Sequence, residues 1–112
     1  MIDVRASARS PRPGFSKSAL ARALSAAGLE YVHLPDAGNP FHADAAADLE
    51  RVLARYRDHL AGRPGIAESV LRHADGARSA LLCAEADPRR CHRSVLVEHV
   101  TRLAPGLAIV NL

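Results

Sequence analysis

The sequence predicts an α/β fold: a single three-layer domain in which a small, mostly parallel sheet is flanked by helices. Three observations carry this reading. Short β-rich runs alternate with segments of helical periodicity in the order β-α-β-α-α-β-α-β, and such alternation favours parallel strands with helices on the sheet faces. The run SALLCA at 79–84 is continuously apolar, as a strand covered on both faces should be. The chain has 112 residues, 48% hydrophobic and 24% charged, which is an ordinary composition for one globular domain.

Each element has its own signal. Residues 1–5, Met-Ile-Asp-Val-Arg, read as the first strand. The segment 6–16, rich in Pro, Ser and Gly, reads as a loop. Ser16 is a candidate N-cap for a helix over 17–27, which places Leu20, Leu24 and Ala27 on one face and ends at Gly28. LEYVHL at 29–34 reads as a strand, and the Pro35–Pro40 stretch as a loop. Residues 43–60 form the clearest amphipathic pattern, with Leu49, Val52, Leu53, Tyr56 and Leu60 at spacings of three and four. After Gly62, Pro64 and Gly65, a helix over 65–74 carries Ile66, Val70 and Leu71. The 79–84 strand is broken at Asp87-Pro88, and a helix over 91–103 follows, with Val95, Leu96, His99, Val100 and Leu103 at helical spacing. LAIVNL at 107–112 reads as a final strand. No repeat or linker divides the chain, so 1–112 is read as one domain.

Composition excludes several classes. No apolar run approaches the ~18 residues that span a bilayer, and no basic-then-apolar leader opens the chain. Two cysteines do not make a disulfide framework, and a reducing, cytoplasmic setting is expected. The net charge is +3, supplied almost wholly by arginine. Positive charge gathers at Arg5, Arg9, Arg12 and Lys17, and again at Arg89, Arg90, His92 and Arg93. Phe15 is the one aromatic interleaved with the first cluster, a modest signal for stacking on nucleic acid.

Chemistry concentrates in Cys83-Ala-Glu-Ala-Asp-Pro-Arg-Arg-Cys91-His92-Arg93-Ser94, which runs from a strand end into a helix start. Ligands of open α/β sheets bind at the carboxyl ends of strands, and helix N-termini favour anions. A cysteine there beside His92 and arginines should be acidic. Cys91 is therefore the candidate nucleophile, redox centre or metal ligand, with His92 and Glu85 as acid–base partners. Arg89 and Arg93 are candidate anion clamps, joined by Ser94 at the helix start. Asp3 and Arg5 at the first strand end, and His33 on the second, are expected to line the same rim. The bland alternatives are a Cys83 that is simply a buried core residue, an Asp3–Arg5 pair that only orders loops, and a His99 that packs at the core edge. A metal is not expected, because C-x7-C-H matches no standard zinc spacing. Neither GxGxxG nor GxxxxGK[ST] is present.

These residues resemble the domain of unknown function 488 family. LLCAEADPRRCHRS at 81–94 is similar to its signature, an apolar strand followed by C-x-E-x-D-P-x-x-C-H-R-S opening a helix. Asp3-Val4-Arg5 resembles its D-V-R strand end, and 11–17 its Arg/Pro-rich loop ending in phenylalanine before a helix. The segment 27–35 with Gly38 resembles its next strand and following glycine. The terminal strand fits too, with Asn111 where members often have His. Members usually open with a further strand and helix bearing a T-I-G-H-S-like motif, which this chain lacks; an uncovered edge or face, and hence a homodimer, is the expectation that follows. The resemblance implies a small cytoplasmic α/β protein of prokaryotic type and implies no reaction.

Two classes of function emerge. The first is an anion-binding or thiol-based site at Cys91-His92-Arg93 acting on an anionic small molecule, with Cys83 as a resolving thiol in a redox variant. A mid-strand Cys83 argues against that variant, because disulfide closure needs Cα atoms within ~7 Å. The second is non-catalytic: a basic nucleic-acid-binding module or a dimerising domain. Whether the chain is an enzyme, and with which cofactor, the sequence leaves open.

Overall fold

The computed structural model of the protein describes residues 1–41, 48–85 and 90–111. Its elements are β1 (Ile2–Asp3), α1 (Lys17–Ala26), β2 (Val32–His33), a 3₁₀ turn (Pro35–Ala37), α2 (Leu49–Ala61), α3 (Gly65–Ala74), β3 (Leu81–Leu82) and α4 (Arg93–Leu103). The sheet order is β2-β1-β3 and both pairings are parallel, so the expected α/β architecture holds. The amides of Ile2 and Val4 donate to Ala80 and Leu82, while the carbonyls of Met1 and Asp3 accept from Val32 and Leu34. β1 is thus the centre of the sheet.

Successive strand residues face opposite sides. Ile2 and Val4 enter the core with Tyr56 and Leu60 of α2, Ile66, Ala67 and Val70 of α3, and Val95, Leu96 and Val100 of α4. These helical residues recur at three and four, which is why the periodic segments were legible as helices. Asp3 and Arg5 belong to the other face. None of the residues of α1 is fully buried.

Local rules explain the helix ends. Asp48 caps α2 by accepting from the Arg51 amide. Gly28 ends α1 at φ +78°, with Leu29 N–H on the Leu24 carbonyl and Gly28 N–H on that of Ser25, a Schellman closure. Ser16 stands at the N-cap of α1 without capping it; its hydroxyl instead pairs with the main chain of Ser10. Gly38 passes so close to Ala6 that a Cβ there would lie 2.4 Å from its main chain.

Several expectations change. The strands expected over 1–5 and 29–34 shorten to Ile2–Asp3 and Val32–His33. The strand expected over 79–84 is regular only at Leu81–Leu82, held by the Ile2 and Val4 amides on the Ala80 and Leu82 carbonyls. The final strand does not form over 107–111: Leu107, Ile109 and Val110 are exposed, Val110 at 76%. A strand needs a neighbour's unpaired main chain, and the two residues of β3 give it too short an edge. Residues 42–47, 86–89 and 112, on which fall the first residues of the helix expected over 43–60, Asp87-Pro88 and Arg89, lie outside the described residues. None of the described helices is long and apolar enough to cross a membrane.

Candidate functional site

The parallel ladder stops at the ends of β1, and two histidines continue it. The Val4 carbonyl points toward β3 and accepts from His92 Nε2 at 2.9 Å; the Arg5 carbonyl points toward β2 and accepts from His33 Nε2 at 2.7 Å. Carbonyls only accept, so each Nε2 carries the proton. For His92 this fixes the ring with Nδ1 turned to two sulfurs, at 3.5 Å from Cys91 Sγ and 3.8 Å from Cys83 Sγ. The edge of the buried Tyr56 ring holds the imidazole from the core, centroids 5.1 Å apart, and the Tyr56 hydroxyl is anchored on the Ala37 carbonyl at 2.6 Å. The ring is therefore located by three elements: β1, α2 and the start of α4.

The sulfurs lie 3.1 Å apart, close enough to share a proton. Cys83 lies just beyond β3 and is half-buried, rather than within the strand; Cys91 precedes α4 and is 4% exposed. Cys91 Sγ also receives the Arg93 amide at 3.5 Å and Arg93 Nε at 3.4 Å. The rest of the Arg93 guanidinium binds the carbonyls of Leu81 and Glu85, tying the strand end to the helix start. The neighbouring Cys83 sulfur is the largest influence holding Cys91 well below the ordinary thiol range; burial opposes it, and His92 and the Arg93 amide reinforce it. Cys83 is pushed up by that same bond and by burial, while the Glu85 amide on its sulfur acts the other way.

A second network sits at the same end of β1. Asp3, fully buried, accepts from Arg5 through Nε at 2.8 Å and Nη2 at 2.6 Å, from the Arg5 amide at 3.2 Å, and from the Tyr31 hydroxyl at 2.5 Å. Burial alone would raise its pKa; these bonds outweigh it and leave the carboxyl below its ordinary value. Arg5 Nη1 binds the Phe15 carbonyl at 2.7 Å and so fastens the basic loop. Burial, then Asp3, pushes the Tyr31 phenol up to about 12.

The expected rim is thus two separate constellations. Cys91, His92 and Arg93 come together, and Cys83 joins them. Asp3 and Arg5 are satisfied by each other and by Tyr31. His33 and Ser94 serve the main chain, Ser94 through a 2.9 Å bond to the Cys91 carbonyl. Glu85 is exposed, and among the described residues only its main chain reaches the cluster. His99 binds the Val95 carbonyl of its own helix. Sequence reasoning undervalued Cys83 and passed over Tyr31 and Tyr56; the one available signal was that Cys83 opens the same motif that Cys91 closes.

The Cys83 and Cys91 sulfurs and the His92 ring offer donor atoms within 4.8 Å of one another, a soft set of a kind that zinc takes. Arg93 already places a fixed positive charge on the Cys91 sulfur, which opposes a cation there. Comparison with curated proteins and with solved structures gave no match. The family model described as domain of unknown function DUF488 matches residues 1–100, a span that contains both constellations, and the chain belongs to that family.

Proposed function

We propose that the cluster is a thiol-based site in which the Cys91 thiolate is the reacting group. The observation that carries this is the convergence of polar contacts on one sulfur: the Arg93 amide and Arg93 Nε donate to it, and the Cys83 sulfur and His92 Nδ1 lie 3.1 and 3.5 Å away. The thiolate is the nucleophilic form of cysteine, and such surroundings keep it populated at neutral pH. This reading is favoured over capture of an external anion because, among the described residues, two of the candidate cations, Arg5 and Arg93, are engaged internally. Arg5 is committed to Asp3 and Phe15, and Arg93 to Cys91 and two carbonyls. The anion at the start of α4 is the protein's own sulfur. His92 Nδ1 is placed to take or return a proton.

The test is the pH dependence of alkylation by iodoacetamide, followed by mass spectrometry, with Cys83 as the internal comparison. The expected midpoint for Cys91 is well below the ~8.5 of a free thiol. A midpoint at or above that value, or equal to that of Cys83, would overturn the reading.

The second reading, nucleic-acid binding, rests on the loop that Arg5 fastens. Phe15 is 43% exposed, with the Arg12 guanidinium 5.4 Å from its ring centroid. Phosphate contacts would make such binding fall steeply with salt; binding that is flat between low and moderate salt would dismiss it.

A further inference from the structure

The geometry points to a more specific chemistry for that same site, and the inference rests on the thiol reading above. We infer that Cys83 and Cys91 are a dithiol/disulfide couple oxidised by small hydroperoxides, with Cys91 the sulfur attacked first and Cys83 the one that resolves it.

Three features carry this. The sulfurs are 3.1 Å apart, so a bond of ~2.05 Å requires an approach of only about 1 Å. They belong to segments that meet only through folding, one leaving β3 and one entering α4. The objection that Cys83 is locked in mid-strand disappears, because pairing ends at Leu82. Second, His92 Nδ1 lies near both sulfurs, so one base serves a proton leaving Cys83 and a group leaving Cys91. Third, Cys91 is 4% exposed. Burial of that degree discriminates by size: a peroxide is little larger than water, whereas a peptide disulfide must bring its own bulk to the sulfur. Arg93 Nε, already on Cys91 Sγ, is placed to hydrogen-bond the peroxide oxygen as charge develops on it.

The chemistry balances in two steps. The Cys91 thiolate attacks the terminal oxygen of ROOH; the S–O bond forms, the O–O bond breaks, and the leaving alkoxide takes a proton from solvent water and departs as ROH. Cys91 is then a sulfenic acid. Cys83, giving its proton to His92 Nδ1, attacks the Cys91 sulfur; the S–S bond forms, the S–O bond breaks, and water leaves with the proton returned from His92. One thiolate, one thiol, one hydroperoxide and one proton from solvent become one disulfide, ROH and water. A cellular dithiol would restore the reduced pair by exchange.

The experiment treats the reduced protein with one equivalent of hydrogen peroxide and, separately, with oxidised glutathione. Intact mass and peptide mapping follow. Expected with peroxide is a loss of about 2 Da, two hydrogens, with a Cys83–Cys91 linked peptide that a dithiol reverses. Glutathione disulfide should react much more slowly. In Cys83→Ala, Cys91 should stop at the sulfenic acid and be trapped by dimedone; in Cys91→Ser, Cys83 should stay reduced. The wild-type measurement stands even if a variant does not fold. Cysteines that both stay reduced, an intermolecular link, direct passage of Cys91 to sulfinic acid, or co-purifying zinc that blocks both thiols would each overturn the couple. Should Cys91 show a low alkylation midpoint without forming the link, the thiol reading survives and the couple fails; should both measurements fail, both fall.

Discussion

The two constellations at the carboxyl end of β1 contain the same ingredients, an anion, an arginine and a hydroxyl or thiol donor, and differ in how tightly the anion is held. Around Asp3 the bonds are 2.5–3.2 Å and end on permanently charged or neutral hard donors. Around Cys91 they are 3.1–3.5 Å and end on a polarisable sulfur whose nearest donor is another titratable sulfur. A carboxylate saturated by short bonds has no capacity left for a substrate, and moving its partners costs a buried charge. A thiolate in long, soft contacts can give up one of them and react. Proximity to a strand end therefore does not identify a reactive group; unsaturated, exchangeable coordination does.

The largest expected effect comes from breaking the first constellation. Asp3→Asn leaves the Arg5 guanidinium, 7% exposed, without its counter-charge, and removal of one partner of a buried pair costs about 3–5 kcal/mol. In urea denaturation that is a major fraction of a small domain's stability. Cys91→Ser, which keeps an oxygen among the same donors, should cost only about 1 kcal/mol while abolishing the alkylation and oxidation described above. Equal losses from the two variants would erase the distinction between them.

The pH dependence of stability sharpens the same contrast. The Asp3 carboxyl is below its ordinary 3.8 in the fold, so its contribution is complete above that value and is lost as pH falls beneath it. The Tyr31 phenol is raised from 10.0 to about 12, so its contribution is complete below pH 10 and is lost as pH climbs toward 12. Tyr31→Phe should weaken this alkaline limb without abolishing it, because burial raises the Tyr56 phenol too; it should leave the acid limb and cost about 1–2 kcal/mol, at the low side for a bond to a charged group because the phenol is only partly buried. An unchanged alkaline limb in Tyr31→Phe would show that Tyr31 does not contribute to it.

What the sequence revealed, and what it hid, follows the same division between local and non-local causes. Helices α2, α3 and α4 were readable because their apolar residues repeat along the chain, and Gly28 because a Schellman turn needs a positive φ at one position. The Cys91-His92-Arg93 motif was readable because it lies in one contiguous segment entering a helix. The length of β3 was not, since SALLCA is equally apolar whether or not β1 runs alongside it. That ambiguity hid Cys83, which looked like a strand interior and is a strand exit. The final strand failed for the same reason: LAIVN has the composition of a strand and no edge to complete it. Tyr31 and Tyr56 were invisible as site residues because their partners, Asp3 and His92, are 28 and 36 positions away.

Gly38→Ala probes the main chain that the two constellations share. A Cβ 2.4 Å from the Ala6 backbone cannot be absorbed by a rotamer change, and forced overpacking of this kind costs about 1–3 kcal/mol. Ala6 follows Arg5, whose carbonyl holds His33, so the strain falls on the ion-pair side. The Cys91 alkylation midpoint should stay where it is; a shift would mean that the Val4 carbonyl moves with Ala6 and carries His92 along.

The smallest expected effect decides which partner governs the thiolate. Arg93→Gln removes a guanidinium from Cys91 but leaves the Arg93 main-chain amide on the sulfur, so stability should change by no more than about 1 kcal/mol. Cys83→Ala removes the strongest single influence on Cys91. Both variants should raise the Cys91 alkylation midpoint, Cys83→Ala by more. The ranking matters because the two donors predict different chemistry. If the second thiol dominates, the charge is shared between two sulfurs already at bonding approach, and oxidation has its resolving partner in place. If Arg93→Gln gives the larger rise, the sulfur is held as any anion at an arginine-flanked helix start is held, and an external anion could replace it.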